Sequence, residues 1–293
     1  MIFPKVNEMN QHIDRPLSAT LFQIGLNSGD PARLASFYAE ALGYDFAEQQ
    51  GSWRGSARDR RLEISLGAAK SLGYAGYAVA DADELDAIAR RLASAGVAFE
   101  RQERWGFAPG ALSFADPDGN HFVFGVAAAS GVMKADDPLV TRPARIQHVV
   151  FASTDMERLL AFFVDVIGFT LSDRVVDEQG GLRTAFVRCS HEHHSLAVFS
   201  AAENRLDHHC YEAGEWNLIR DWADHFAKLR VPLKWGPGRH GPGDNLFLFI
   251  HDPDGNWVEI SAELEQVAID RPVGDWPHEE YTLNTWGIGL LRS

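Results

Sequence analysis

One pattern occurs twice in this sequence. Residues 116–120 read Asp-Pro-Asp-Gly-Asn, and residues 252–256 repeat them. Residues 37–44 align in the same way with residues 162–169, at an offset of 125. A chain of 293 residues is long enough for two domains with full hydrophobic cores. The repeat therefore predicts two similar domains in tandem, which arose by duplication.

Three polar residues of the second copy align with residues of other types in the first copy. The pairs are His148 with Gln23, His208 with Tyr74, and Glu259 with Val123. Each of the three falls in a predicted strand, where alternate side chains point to one face. Two imidazoles and a carboxylate on one face of a metal form the facial triad of non-haem Fe(II) oxygenases. The pattern predicts a metal site in the second copy alone.

Each copy reads as two βαβββ-like units. In the first unit, the apolar run 19–26 predicts a strand, and 32–42 predicts a helix that begins after Asp30 and a proline. The second unit repeats this order, with a strand over 73–79 and a helix over 81–95. Short alternating runs after each helix predict further strands. Four such units predict an α+β fold, in which each domain forms a barrel-like curved sheet.

Changes in composition predict the domain boundaries. The predicted parts are an N-terminal extension (1–17), a metal-free domain (18–127), a linker (128–142), a metal-binding domain (143–265) and a tail (266–293). The linker is rich in small residues and is interrupted by glycine and proline. The tail is rich in proline, tryptophan and charge and ends in an apolar segment. We expect it on the body of the protein or on a neighbouring subunit, and we expect a homo-oligomer.

Composition also excludes several classes of partner. A net charge of −14 repels phosphate backbones, so no nucleic-acid partner is expected. No apolar run approaches the roughly 20 residues that span a bilayer, and the N-terminus lacks a hydrophobic signal core. Two cysteines are too few for a disulfide framework. These observations predict a cytoplasmic protein without a membrane partner.

The C-terminal half resembles the type I extradiol ring-cleaving dioxygenases of the vicinal oxygen chelate superfamily. The likeness is greatest to the two-domain catechol and dihydroxybiphenyl 2,3-dioxygenases. Residues 235–247 resemble the loop before the last strands of that family, and residues 249–259, Phe-Ile-His-Asp-Pro-Asp-Gly-Asn-Trp-Val-Glu, resemble its signature. The resemblance covers residues 18–265 and is architectural in the first half. It implies a catechol-type aromatic diol and O2 as substrates.

The resemblance also implies roles for individual residues. The metal ligands would be His148, His208 and Glu259, which would bind Fe(II), or Mn(II) as in some relatives. His194 would lie beside the oxygen pocket and act in acid–base catalysis; alternation along its strand favours it over the adjacent His193. His240 would contact the substrate and the ring-opening intermediate. Asp244 is a candidate to orient His240.

One position departs from the family pattern. Phe249 stands where these enzymes usually have a tyrosine, whose hydroxyl donates a hydrogen bond to a substrate oxygen. Removal of one such donor costs roughly 10²–10³-fold in turnover in other enzymes. His251 lies two residues further on, and therefore on the same face of the strand. We hypothesise that His251 partly replaces the missing donor.

Two other functions stay open for a chain of this superfamily. Isomerases, epimerases and lyases of the superfamily use a metal only as a Lewis acid, and they typically add a fourth protein ligand. The aligned Tyr74 and Val123 supply no such ligand, which argues against this function, whereas the change at Phe249 keeps it open. Binding proteins that sequester a ligand form the third possibility, but these normally lack the full triad.

Overall fold

The computed structural model describes residues 16–128 and 142–291. Most of the predicted N-terminal extension and of the predicted linker lies outside these ranges, so the domain boundaries stay predictions. Within the described residues, no helix is both long and apolar enough to cross a membrane.

The first half of the chain folds into one eight-stranded sheet with two helices. Its elements are β1 (Ala19–Ser28), α1 (Pro31–Leu42), β2 (Asp45–Gln49), β3 (Ser52–Ala57), β4 (Arg60–Leu66), β5 (Ser71–Val79), α2 (Ala82–Ser94), β6 (Phe99–Gln102), β7 (Ala111–Ala115) and β8 (His121–Val126). The strand order is β2-β3-β4-β1-β5-β8-β7-β6. Strands β1 and β5 pair antiparallel at the centre and join two βαβββ units into one sheet.

The second half repeats this arrangement and adds the tail. Its elements are β9 (Arg145–Ser153), α3 (Met156–Ala161), which continues as a π-helical segment (Phe162–Ile167), β10 (Thr170–Val176), β11 (Leu182–Arg188), β12 (Leu196–Ser200), β13 (Arg205–Glu212), α4 (Trp216–Lys228), β14 (Trp235–Arg239), β15 (Leu246–His251), β16 (Trp257–Ala262), β17 (Gly274–Pro277) and α5 (Glu280–Leu283). The strand order is β14-β15-β16-β13-β9-β12-β11-β10-β17. Read from β10 backwards, this is the order of the first sheet. The predicted α+β fold of four βαβββ units is confirmed.

Local sequence explains where the first helix of each half begins. The side chain of Asp30 accepts a hydrogen bond from the Arg33 amide at 3.1 Å, and Asp155 accepts one from the Arg158 amide at 3.2 Å. Both are N-caps that satisfy a free amide of the first turn. Helix α1 ends at Gly43, whose φ of 70° is a left-handed conformation that suits glycine.

The two halves pack together through reciprocal contacts. Arg33 on α1 contacts Asp254 in the Asp-Pro-Asp-Gly-Asn turn of the second half, with 2.6 Å between Nη2 and Oδ1. Arg158 on α3 makes the same contact with Asp118 in the turn of the first half, at 2.8 Å. Equivalent residues therefore meet in both directions, as expected for a duplicated chain. The repeated turns are part of the interface between the halves.

The first half also supports the region where the candidate histidines lie. The hydroxyl of Tyr77 on β5 donates a hydrogen bond to the backbone carbonyl of Ser195, at 2.9 Å. Ser195 directly follows His194 in the chain. The hydroxyl of Tyr38 on α1 donates to Asp252 at 3.0 Å. The first half thus holds the segments on either side of the candidate site in place.

Candidate metal centre

The three candidate metal ligands lie on neighbouring strands of the second sheet. His148 is on β9, His208 on β13 and Glu259 on β16, and these strands are adjacent in the order β16-β13-β9. Cys210 on β13 is paired in register with both His148 and Glu259. Alternate residues of β9 explain the direction of His148, because Val149 packs into the main core while His148 faces the other way.

The donor atoms of these side chains converge on one point. The Nε2 atoms of His148 and His208 are 3.4 Å apart, and Glu259 Oε2 lies 3.1 Å from the first and 3.2 Å from the second. All three side chains are buried. Ligands about 2.0–2.2 Å from a metal and at right angles to each other are about 3.0 Å apart. The spacing therefore fits a facial site for one cation.

Hydrogen bonds direct the lone pairs of both imidazoles to that point. His148 Nδ1 contacts the amide oxygen of Gln147, and His208 Nδ1 donates to Asp207 Oδ2 at 2.8 Å. With the proton on Nδ1, each ring has its lone pair on Nε2, the form that a metal requires. The buried Asn245 donates to the second oxygen of Glu259 at 3.3 Å. The three candidate ligands and the residues that hydrogen-bond to them thus fit a divalent metal.

Electrostatics at the site also favour a cation. Burial alone would raise the pKa of Glu259, but the neighbouring imidazoles of His148 and His208 hold it well below its usual range. Burial lowers the pKa of His148. Burial would also lower the pKa of His208, but the carboxylates of Asp207 and Glu259 raise it. A buried anion beside two imidazoles is an environment that a divalent ion would neutralise.

Cys210 lies close to the same point without being a suitable ligand. Its sulfur is within 4.8 Å of donor atoms of His148 and Glu259. The thiol donates a hydrogen bond to Ser261 at 3.2 Å. Burial, followed by the charge of Glu259, raises the pKa of the thiol well above its usual value. A metal binds the thiolate rather than the thiol, so His208 is the better third ligand.

His194 lies directly beside the triad. Its ring centroid is 4.6 Å from that of His148, and it lines the same cavity. Its Nδ1 lies 3.0 Å from Nδ1 of His193, which is not among the described residues that line the cavity. Burial, together with the neighbouring imidazoles of His148 and His193, lowers the pKa of His194 well below its usual value. This direction favours a neutral imidazole at His194.

His240 lies on another side of the cavity, and the tail holds it there. Its Nδ1 donates a hydrogen bond to the backbone carbonyl of Leu283 in α5, at 2.6 Å. Its Nε2 is 3.7 Å from Glu259 Oε1. The ring stacks on Phe247 with 4.0 Å between centroids. The lone pair on Nε2 is thus directed to the metal end of the cavity.

The triad, His194 and His240 line one cavity of about 740 Å³, part of which is open to solvent. Most of its other walls are apolar or aromatic, from Val150, Phe186, Ala197, Phe199, Trp235 and Leu290. The tail contributes His278, Thr282 and Leu283 to the wall as well. The tail, which was predicted to lie on the body of the protein, therefore forms part of the wall of the candidate site. The predicted homo-oligomer stays a prediction.

Three other predicted residues lie in different surroundings. Phe249 lines the cavity and packs edge-on against His208, with 5.2 Å between ring centroids. His251 packs against Trp257 at 4.2 Å and is not among the described residues that line the cavity. Asp244 forms an ion pair with Arg239 and is mostly exposed, with 71% of its side chain accessible. The structure therefore brings Phe249 to the site but does not bring His251 or Asp244 there.

The equivalent place in the first half is filled by side chains that form hydrogen bonds with each other. Gln23 donates a hydrogen bond to the Tyr74 hydroxyl at 2.7 Å, and that hydroxyl donates to Glu63 at 2.9 Å. Val123 is buried in the same cluster. Within residues 16–128 and 142–291, the one cluster of three or more potential metal donors is in the second half.

The sequence interpretation missed the residues that hold the candidate ligands. Gln147 and Asp207 each stand directly before a candidate ligand histidine, so a polar residue in that position was an available signal. Alternation normally places such neighbours on opposite faces. The pairing of β13 with β9 shifts register between Leu206 and His208, and this bulge accompanies the contact of Asp207 with His208.

Comparison with known proteins identifies the family. The model of the glyoxalase/bleomycin resistance protein/dioxygenase superfamily matches residues 20–124 and 145–260. The chain belongs to this superfamily. It is 30% identical over 294 residues to biphenyl-2,3-diol 1,2-dioxygenase of Paraburkholderia xenovorans (strain LB400), and the alignment covers 93% of this chain and 96% of that protein.

Two further proteins extend the comparison. The iron-dependent extradiol dioxygenase of Rhodococcus jostii (strain RHA1) is 28% identical, over 78% of this chain and 81% of its own length. The structure of homoprotocatechuate 2,3-dioxygenase from Arthrobacter globiformis has the same fold, with a TM-score of 0.83 at 22% identity, and the match covers 94% of this chain and 90% of that one. The predicted resemblance to extradiol ring-cleaving dioxygenases is confirmed, and so is the prediction of an enzyme of that class.

Proposed function

We propose that this protein cleaves the ring of an aromatic diol with O2 at an Fe(II) site formed by His148, His208 and Glu259. Mn(II) fits the same donors. The observation that carries the proposal is the convergence of three buried donor atoms within 3.4 Å of one another, with both imidazole lone pairs directed inward. The iron dependence and diol substrates in the names of the relatives support it.

The residues around the triad suit proton handling during such a reaction. When bound, the metal supplies a Lewis acid with open positions for both diol oxygens and for O2. A neutral His194 ring can take the proton of a diol hydroxyl and return it later. His240 has its Nδ1 proton engaged by the tail carbonyl of Leu283. Its Nε2 can accept a second hydroxyl proton at the metal end.

The walls of the cavity favour an uncharged aromatic diol. The polar groups gather at the triad, whereas Phe186, Phe199 and Trp235 provide apolar surface for the rest of the substrate. Among the described residues that line the cavity, none is a lysine or an arginine. A carboxylate on the substrate would therefore find no strong cationic partner there. The apolar walls also exclude water from the reacting groups.

Oxygen consumption would test this function directly. We expect anaerobically purified protein loaded with Fe(II) to consume O2 when catechol, alkylcatechols or dihydroxybiphenyl is added. One molecule of yellow ring-opened product should form for each O2 consumed. We expect His148→Ala to lose both signals, because one metal donor is gone. If iron-loaded protein consumes no O2 with any of these diols, the proposed function is wrong and non-oxidative metal chemistry becomes the better explanation.

The carboxylate behind His208 provides a further prediction. We expect Asp207→Asn to lower metal affinity about 10–100-fold, the usual effect of losing such an outer partner of a histidine ligand. Chelator competition would measure this. Glu203→Gln is the matched control, because Glu203 contacts the same Arg205 at 3.5 Å but is exposed. Equal affinity of the Asp207 variant and the wild type would contradict the metal site.

A further inference from the structure

We propose that Asp173 and His193 are positioning residues, which hold His194 with a free lone pair on Nε2 toward the cavity. The inference rests on the proposed function and adds two residues to it. Neither residue lines the cavity, and each acts through its neighbour. The row of close contacts runs from the carboxylate through one imidazole to the next.

The three side chains form a continuous buried row. Asp173 Oδ2 lies 3.0 Å from His193 Nε2, and His193 Nδ1 lies 3.0 Å from His194 Nδ1. Asp173 and His193 are fully buried, and His194 is 3% exposed. Gly243 closes one side of His193, because a Cβ at that position would be 3.0 Å from the imidazole Nδ1. The rings therefore have little freedom to turn.

The charge of Asp173 decides which nitrogen carries each proton. Burial alone would raise the pKa of Asp173, but the neighbouring His193 and Arg271 lower it to about 2. An ionised carboxylate 3.0 Å from His193 Nε2 favours a proton on that nitrogen, although the two atoms are not aligned as a hydrogen bond. A neutral His193 then has its lone pair on Nδ1 and accepts from Nδ1 of His194. The lone pair of His194 is consequently on Nε2, where a substrate proton can be accepted.

The tail holds the carboxylate in position. Asp173 accepts hydrogen bonds from Arg271 Nη1 at 2.7 Å, from the Gly274 amide at 3.1 Å and from Trp276 Nε1 at 2.7 Å. These donors belong to β17 or directly precede it, and β17 pairs with β10 next to Asp173. Three donors from the tail fix both oxygens. The position of the tail is thereby linked to the orientation of His194.

Replacing Asp173 by asparagine should move the proton of each imidazole in the row to its other ring nitrogen. The side chain at position 173 stays almost the same size. With its nitrogen in the place of Oδ2, the new amide can donate to His193 Nε2 but loses the hydrogen bond from Trp276 Nε1. The donation moves the proton of His193 to Nδ1 and makes His194 Nδ1 an acceptor. His194 Nε2 then carries a proton and cannot take one from the diol. We expect Asp173→Asn to lower kcat at least about 100-fold, the lower end of the effect of a positioned acid–base group. KM for the diol and iron content should stay within about threefold of the wild type, because no contact to either is removed.

Asp275→Asn is the matched control. Asp275 lies on β17 and pairs with Arg174 on β10 at 2.7 Å, so it holds the same two strands together. It is more than half exposed. We expect its kcat to stay within about twofold of the wild type. If Asp275→Asn loses as much activity as Asp173→Asn, attachment of the tail explains the effect and the proposal is overturned.

His193→Gln provides a second variant in case Asp173→Asn does not fold. Its amide can still meet Asp173, but it has no ring nitrogen to meet His194. We expect the same fall in kcat with KM and iron content preserved. A folded, iron-loaded variant of either kind with kcat within about threefold of an active wild type would overturn this inference alone. A wild type without ring cleavage would overturn the proposed function and this inference together.

Discussion

Glu259→Gln is expected to retain no stoichiometric metal after dialysis and to consume no O2 above background. Glu259 supplies the only negative charge of the proposed ligand set, and one of its oxygens lies within 3.2 Å of both imidazole nitrogens. A neutral amide removes that charge and presents an N–H group to a cation if it turns. Loss of an outer partner already costs about 10–100-fold in affinity, so loss of this ligand should cost more than about 100-fold. Metal content by mass spectrometry and oxygen uptake would measure the two effects.

Glu63→Gln is the matched control, because it makes the same glutamate-to-glutamine change at a buried position in the first half. Glu63 is buried and accepts hydrogen bonds from Tyr74 and Ser52, at 2.9 and 2.8 Å. It lies in the cluster that occupies the place of the metal site in the first sheet. We expect this variant to be less stable but to bind metal normally. A Glu259→Gln protein that holds one tightly bound metal per chain would contradict the ligand assignment.

Duplication made most of the fold predictable from sequence. A repeated strand–helix–strand grammar, with Asp30 at a helix start and glycine at its end, is local information that a single sequence carries. The repeat also placed the site, because His148, His208 and Glu259 stand out only when they are aligned with the first copy. Strand β3 (Ser52–Ala57) is not predictable in this way, since its sequence, Ser-Trp-Arg-Gly-Ser-Ala, has little apolar alternation.

The surroundings of the site depend on contacts between residues far apart in the chain. His240 was expected to be oriented by nearby Asp244, but the partner of its Nδ1 is the carbonyl of Leu283, 43 residues away. A backbone carbonyl leaves no trace in the amino-acid sequence. The same holds for the row from Asp173 to His194, which needs β10 and the tail to meet. Strand alternation placed His251 on the face of Phe249, yet His251 is at the end of β15, where its ring packs on Trp257.

His194→Phe is expected to keep its metal and to lower kcat about 10²–10⁴-fold, the usual contribution of a positioned acid–base group. A phenyl ring preserves the packing against His148 and Phe186, whose ring centroids lie 4.6 and 5.1 Å from that of His194. It removes both nitrogens, so no group remains at this position to take a proton from the diol. Steady-state oxygen uptake, together with iron content, would measure the change.

The contrast between this variant and Glu259→Gln separates two roles that the geometry places within a few ångströms. Loss of a ligand should remove metal and activity together, whereas loss of His194 should remove turnover from a protein that still binds iron and diol. His191→Phe is the control, since His191 contacts the carbonyl of Val267 in the tail and does not line the cavity. If His194→Phe lost its iron, His194 would belong to the metal site itself. If it kept full turnover, the proton would have to be taken by His240, whose Nε2 faces the same end of the cavity.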